Sequence, residues 1–189
     1  MLSNSTCGKR ERCVVCKRNQ GSSLIEVLVS IVIASIGLLA LAGVNASSIR
    51  YTKMSQYRGT ATQLAGDIGE RMRANKVGAA SYDFQADFTA QQTLPAAVSP
   101  LCNSYATTCT AGEVAAFDLQ TWRVIVRNQL PEGSAFIIYH GPPVGAADVW
   151  IAWRDPAVAD DDAATTGAEC PGSLSATAGV RCSYFRINL

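Results

Sequence analysis

Gly21-Ser22-Ser23-Leu24-Ile25-Glu26-Val27-Leu28-Val29 leads into an apolar stretch without a charge, the 23 residues from Val27 to Ile49. At about 1.5 Å of rise per residue a helix of that length covers roughly 30 Å or slightly more, enough to cross a bilayer. Before it stand Lys9, Arg10, Arg12, Lys17 and Arg18 against Glu11 alone. A basic cluster followed by an apolar run inserts with its basic end in the cytoplasm. An ordinary secretory signal has an apolar core of about 7–15 residues with a small-residue cleavage site after it. This run is longer, and its nearest such site, Ala40-Leu41-Ala42, sits inside the run. Glu26 at the mouth of the run is expensive to place in lipid without a partner, which makes it a functional candidate.

A glycine after a basic cluster, four intervening residues, then a glutamate heading an apolar run resembles the class III signal of type IV prepilins and type II secretion pseudopilins. The resemblance implies cleavage by prepilin peptidase after Gly21, with residues 1–21 removed as a cytoplasmic leader. Ser22 then becomes the new N-terminus and the N-methylation site, and Glu26 the fifth mature residue. Physical chemistry supplies a role for that glutamate. The α-ammonium of Ser22 would lie in an apolar setting, and Glu26 of a neighbouring subunit can pair with it and set the axial register. Two departures stand out. The family usually begins its mature chain with Phe, often followed by Thr, where this chain has two serines. A leader of 21 residues is also long, and translation starting near Val14 or Val15 would give an ordinary length.

No proline occurs before Pro95. Tyr57, Ala61, Leu64, Ala65, Ile68 and Met72 recur at spacings of one helical face, with Arg58, Gln63, Asp67, Glu70 and Arg71 mostly elsewhere. One helix is therefore expected from about residue 23 to about residue 75. Its membrane or filament-core half covers 22–49, and its amphipathic half belongs to a head spanning 50–189. Asp67 and Arg71 form a favourable i, i+4 pair. Arg71, Arg73 and Lys76 suit the negative end of the helix dipole, and Asn75 or Gly78 is expected to end it. The block Glu70-Arg71-Met72-Arg73-Ala74-Asn75 resembles the end of the long helix in minor pilins of the PilV type.

The rest reads as a small α+β head. Residues 77–116, rich in Ala, Ser, Thr and Gln, are expected to form a variable loop, and Asp118 to cap a helix from Leu119 to Leu130. Leu119, Trp122, Val126 and Leu130 would form its buried face, with Trp122 in the core. Leu130-Pro131-Glu132-Gly133 stops it. Ser134–His140, Asp148–Arg154 and Val180–Asn188 carry the β-branched and aromatic content of strands in an antiparallel sheet. Leu130-Pro131-Glu132-Gly133, Trp153-Arg154-Asp155 and the late cysteine pair also resemble the PilV-type body.

The seven cysteines divide. Cys7, Cys13 and Cys16 precede the apolar run, where the Cys-x-x-Cys lacks a fourth ligand or a second such pair and does not make a zinc site. Cys102, Cys109, Cys170 and Cys182 follow it, an even set pointing to two disulfides and an oxidising compartment such as the periplasm. Four cysteines allow three pairings. Short loops close at least entropic cost, which favours Cys102–Cys109 and Cys170–Cys182.

Several functions are disfavoured. The net charge is +1. Residues 1–21 carry five cations and one acid, a sum of +4, which leaves −3 for the remainder. A mildly acidic body does not bind nucleic acid by neutralising phosphates. His140 is the single histidine and no Gly-x-Ser-x-Gly elbow accompanies it, so no catalytic residues and no cofactor are expected. Asp160-Asp161-Asp162 could meet calcium with Asp155, but the EF-hand pattern is absent and a solvated acidic loop is the simpler reading. The resemblance thus implies a minor pilin of a type IV pilus, inserted in the inner membrane and then assembled with other minor pilins, the major pilin and a tip adhesin. Its expected roles are pilus biogenesis and twitching or adhesion. A type II secretion minor pseudopilin shares the same signal. A membrane-anchored periplasmic enzyme or binding protein is the alternative of another class.

Overall fold

In the computed structural model the described residues are 23–104, 107–155 and 169–189. Contacts divide the chain into two compact units, Met1–Ala46 and Ser47–Leu189. Helix α1 runs from Leu24 to Ala74. In the second unit it is followed by a 3-10 turn at Lys76–Tyr82, another at Thr89–Gln91, helix α2 (Ala111–Gln129), strand β1 (Ser134–His140), strand β2 (Ala146–Arg154), a turn at Gly172–Leu174 and strand β3 (Val180–Asn188). The sheet is antiparallel in the order β1-β2-β3.

The helical face read from the sequence is the one that becomes core. Ala61, Leu64, Ala65, Ile68 and Met72 of α1 are buried, with Tyr57 packed against them. They meet Leu119, Trp122 and Val126 of α2 and the inward side chains of the sheet, Ala135, Ile137, Val149, Ile151, Trp153 and Ile187. Period-2 alternation divides the strands. Phe136, Ala152, Val180 and Cys182 project from the opposite face into a smaller cluster, which Phe88 and Leu174 close from the loops. The Cys102–Cys109 disulfide closes a loop with its Cα atoms 6.0 Å apart, and Cys170–Cys182 ties the approach of β3 to β3 itself at 5.2 Å.

Helix α2 corrects the expected Leu119 start. It begins eight residues earlier because Thr110 and Glu113 form a reciprocal capping box. The Thr110 side chain accepts from the Glu113 N–H at 3.3 Å, and the Glu113 carboxylate accepts from the Thr110 N–H at 2.7 Å. The backbone bond pulls the Glu113 carboxyl below its ordinary pKa. Asp118 is therefore mid-helix and caps nothing. Replacing Thr110 by alanine is expected to cost about 1 kcal/mol, read as a lowered urea midpoint with an unchanged slope. β2 likewise starts at Ala146, two residues before the expected Asp148.

At the end of α2 the chain turns through Glu132, in the left-handed region at φ 51°, and Gly133. A Cβ at Gly133 would run into the carbonyl oxygen of Val126, so only glycine allows this close return. The outer edge of β1 is covered by the loop that precedes α2. Phe84 and Ile137 exchange backbone hydrogen bonds at 2.9 and 2.8 Å. The Gln91 side chain substitutes for a strand at Ala135, donating to its carbonyl at 2.9 Å and accepting from its N–H at 3.0 Å. The Tyr139 N–H donates to Asp83 at 2.9 Å. An open edge would otherwise invite pairing with another chain.

Candidate processing and assembly site

Gly21 and Ser22, the expected cleavage and methylation positions, lie outside the described residues, as do Cys7, Cys13, Cys16 and Asp160–Asp162. From Ser23 onward the first turn of α1 is in place. The Ser23 carbonyl accepts from the N–H groups of Glu26, at 2.9 Å, and Val27, at 3.2 Å. Glu26 is thus the acidic residue of the first turn, where the positive end of the helix dipole favours a carboxylate.

From Val27 to Ile49 the helix carries apolar side chains all round, and among the described residues every one of these positions is exposed. Leu28, Ile31, Leu38 and Leu39 are all more than half exposed. The segment is long and apolar enough to cross a membrane. Its polar side chains are arranged for an apolar medium. The hydroxyls of Ser30 and Ser35 donate back to the carbonyls of Glu26 and Ile31, each at 2.7 Å, which leaves neither hydroxyl proton without an acceptor. Such a surface needs lipid tails or other helices around it.

The C-terminal end of α1 is held by a polar network, of which the sequence showed only the Asp67–Arg71 pair. Arg71 Nε donates to Asp67 at 3.1 Å, and Nη1 donates to Asp118 at 3.1 Å and to Thr121 at 3.3 Å. Tyr82 closes the network with a 2.7 Å bond from its hydroxyl to the other oxygen of Asp118. Burial alone would lower the Arg71 pKa, but the two carboxylates outweigh it and hold the guanidinium above its usual value. Burial, and then the bond to Asp118, pushes the Tyr82 phenol above its ordinary range. Arg71 was expected to pair with Asp67 and to complement the helix dipole; it makes that pair and also reaches Asp118, so it links α1 to α2. Arg73, by contrast, reaches Glu70 at 2.6 Å and the Asn188 carbonyl at 3.1 Å on an exposed flank. The helix stops at Ala74, and Asn75 caps the following turn by accepting from the Gly78 N–H.

His140 sits at the end of β1, half-buried, with Nε2 2.8 Å from Asp148. Tyr184 donates to the other Asp148 oxygen at 2.7 Å, and Arg186 lies 3.4 Å from it. Asp148 thus ties the three strands together on the face turned away from α1. Burial works against its charge, but bonds from Tyr184 and His140 and the nearby Arg186 prevail and hold its carboxyl below the ordinary pKa. A depressed folded-state pKa adds stability above the unfolded value near 4, and that stability is lost as pH falls through the folded value. Thermal melts of wild type and Asp148→Asn are therefore expected to differ at pH 6 and to converge as pH falls below about 4. A difference that stays constant down to pH 2.5 would refute this assignment. Asp155 is buried, and among the described residues no group of three or more His, Cys, Asp or Glu is placed to hold a metal.

Two family matches cover adjoining parts of the chain. Residues 16–42 match the prokaryotic N-terminal methylation motif, and residues 44–120 match the family described as type IV pilin Tt1218. The first spans Gly21, Ser22 and Glu26; the second spans the amphipathic half of α1, the loop with Cys102 and Cys109 and the first half of α2. Neither distinguishes the PilV type. No curated protein and no solved structure matches the chain.

Proposed function

We propose, for a chain with the type IV pilin fold and an N-terminal methylation motif, that it is a minor pilin. In this reading prepilin peptidase cuts after Gly21 on the cytoplasmic face and Ser22 is methylated. The bare half of α1 passes from the inner membrane into the core of a filament, while the disulfide-bonded head faces the periplasm or the outside. Its partners are other minor pilins, the major pilin and a tip adhesin, and its task is to start or support pilus assembly for twitching or adhesion. The family is structural, and no catalytic step is assigned.

One observation carries the reading. Glu26 lies in the first turn of a helix whose next 23 residues are uncharged, and among the described residues all of those positions are exposed. An anchor alone has no use for a carboxylate at that point, whereas a subunit that exchanges lipid for neighbouring helices can pair it with a cleaved N-terminus. The test is N-terminal mass spectrometry of the protein from sheared filaments. A mature start at Ser22 is expected; a start at Met1 or after Ala42 would overturn the proposal. Deleting the gene is expected to reduce surface pili, and loss of protein secretion with normal pili would instead place the chain in a type II secretion system.

A further inference from the structure

A shallow cleft lies between α2 and the start of β1, lined by Gln91, Pro95, Arg123, Arg127, Gly133 and Ser134. Its lining is strongly one-sided in charge. Arg123 and Arg127 stand one helical turn apart on α2, where like charges repel. Neither forms an ion pair with any described residue.

The remaining polar groups of the cleft are already engaged. Gln91 is committed to Ala135. The Ser134 hydroxyl donates to the Glu132 carbonyl and accepts from Gln92. Arg127 uses two of its nitrogens on Gln92, one on the side-chain oxygen and one on the backbone carbonyl. Arg123 is different. Its guanidinium carbon lies 4.0 Å from the centre of the Phe84 ring, and its buried Nε has no hydrogen-bond partner. Burial lowers its pKa, and no carboxylate counters that effect. The guanidinium is stacked on one face and has no acceptor among the described residues, so its two terminal nitrogens are the donors that a group outside the chain can meet.

We infer that this cleft is a carboxylate-binding site, with Arg123 as the principal donor and Arg127 as the second charge, and that its occupant is an Asp or Glu side chain of a neighbouring subunit. The cleft is shallow and its enclosed part is no larger than about one water, so only the tip of a side chain enters it. A planar guanidinium edge matches the two oxygens of that group. The choice of a subunit over a free anion rests on the proposed filament role, since assembly brings neighbouring chains to the head at high local concentration.

Two measurements on the full-length chain test the inference. The first uses sodium acetate as the probe, titrated into protein in detergent micelles at fixed pH and ionic strength, with the Arg123 Nε–H followed by nitrogen-15 NMR. A saturable shift with a dissociation constant of about 10 mM or tighter is expected, weakened about tenfold in Arg127→Gln. A shift linear in acetate, or one that sodium chloride reproduces, would overturn the site. The second places a photo-crosslinking residue at Pro95 in cells. Crosslinks to a peptide of another subunit that contains Asp or Glu are expected, falling about tenfold when Arg123 and Arg127 are both glutamine. The double variant must keep the wild-type melting profile; if it does not fold, Arg127→Gln alone serves as the reporter. Saturable acetate binding with unchanged crosslinking in the variant would assign the site to a free anion and overturn the subunit occupant. The acetate arm does not depend on processing, so a chain left uncut at Gly21 would refute the filament role without being mistaken for an empty cleft.

Discussion

Replacing Glu26 by alanine is expected to leave the protein inserted and cut after Gly21, yet to lower its share of sheared filaments by at least about tenfold, equivalent to roughly 1.4 kcal/mol. The magnitude follows from the pair that the proposed assembly would make. The α-ammonium of Ser22 and the carboxylate of a neighbour's Glu26, about 4 Å apart, attract by roughly 4 kcal/mol at an effective dielectric near 20, before desolvation is subtracted. Desolvation removes much of this, so the pair contributes register more than net stability. Glu26→Gln separates the two contributions. It keeps a hydrogen-bond acceptor but no charge, and it is expected to fall between wild type and alanine. The measurement is quantitative mass spectrometry of filament and membrane fractions from the same cells. Equal incorporation of wild type and Glu26→Ala would sink the pairing. An uncut Glu26→Ala protein would move the role of the residue from assembly to peptidase recognition.

Trp122→Ala is expected to destabilise the head by about 3–5 kcal/mol, a large part of the 5–15 kcal/mol typical of a whole domain. Trp122 is fully buried where α2 packs on α1, among Leu64, Ile68 and the inward residues of the sheet. Truncation removes its contacts and leaves a cavity that two packed helices and a sheet cannot easily fill. Its indole N–H also donates to the Leu64 carbonyl at 2.9 Å, a direct bond between the helices. Trp122→Phe keeps most of the apolar volume and loses that bond, so a smaller cost of about 1–2 kcal/mol is expected. Urea denaturation followed by tryptophan fluorescence and circular dichroism measures both. A cost below 1 kcal/mol for the alanine variant would show that this contact does not hold α2 on α1. The two predictions concern different units of the chain, so each variant is expected to spare the property that the other removes.

Legibility from sequence tracked the range of the interaction. The long helix, the buried face from Tyr57 to Met72 and the three strands were readable because hydrophobic periodicity is local and repeats many times. The start of α2 was missed although its signal was present. Thr110-Ala111-Gly112-Glu113 is a capping box, but it lies just after Cys109 in a small-residue stretch that reads as loop, and Asp118 offered a competing cap. That aspartate proved more informative as a misreading. Its side chain satisfies Arg71 and Tyr82, residues 47 and 36 positions away, and no local pattern announces a partner at that distance. The Gln91 bridge to Ala135 and the stacking of Arg123 on Phe84 were hidden for the same reason.

By itself the sequence pointed to the class of molecule: a basic N-terminal cluster, a Gly-to-Glu spacing and 23 uncharged residues are properties of consecutive positions, and the chemistry of a long apolar helix acts on consecutive positions. The tertiary structure alone decided how the head is held together and where it offers charge. Which carboxylate neutralises Arg71, which edge Gln91 closes and which guanidinium is left without an acceptor depend on residues brought together from distant parts of the chain. Electrostatic and hydrogen-bond energies fall off over a few ångströms of space and take no account of separation along the sequence.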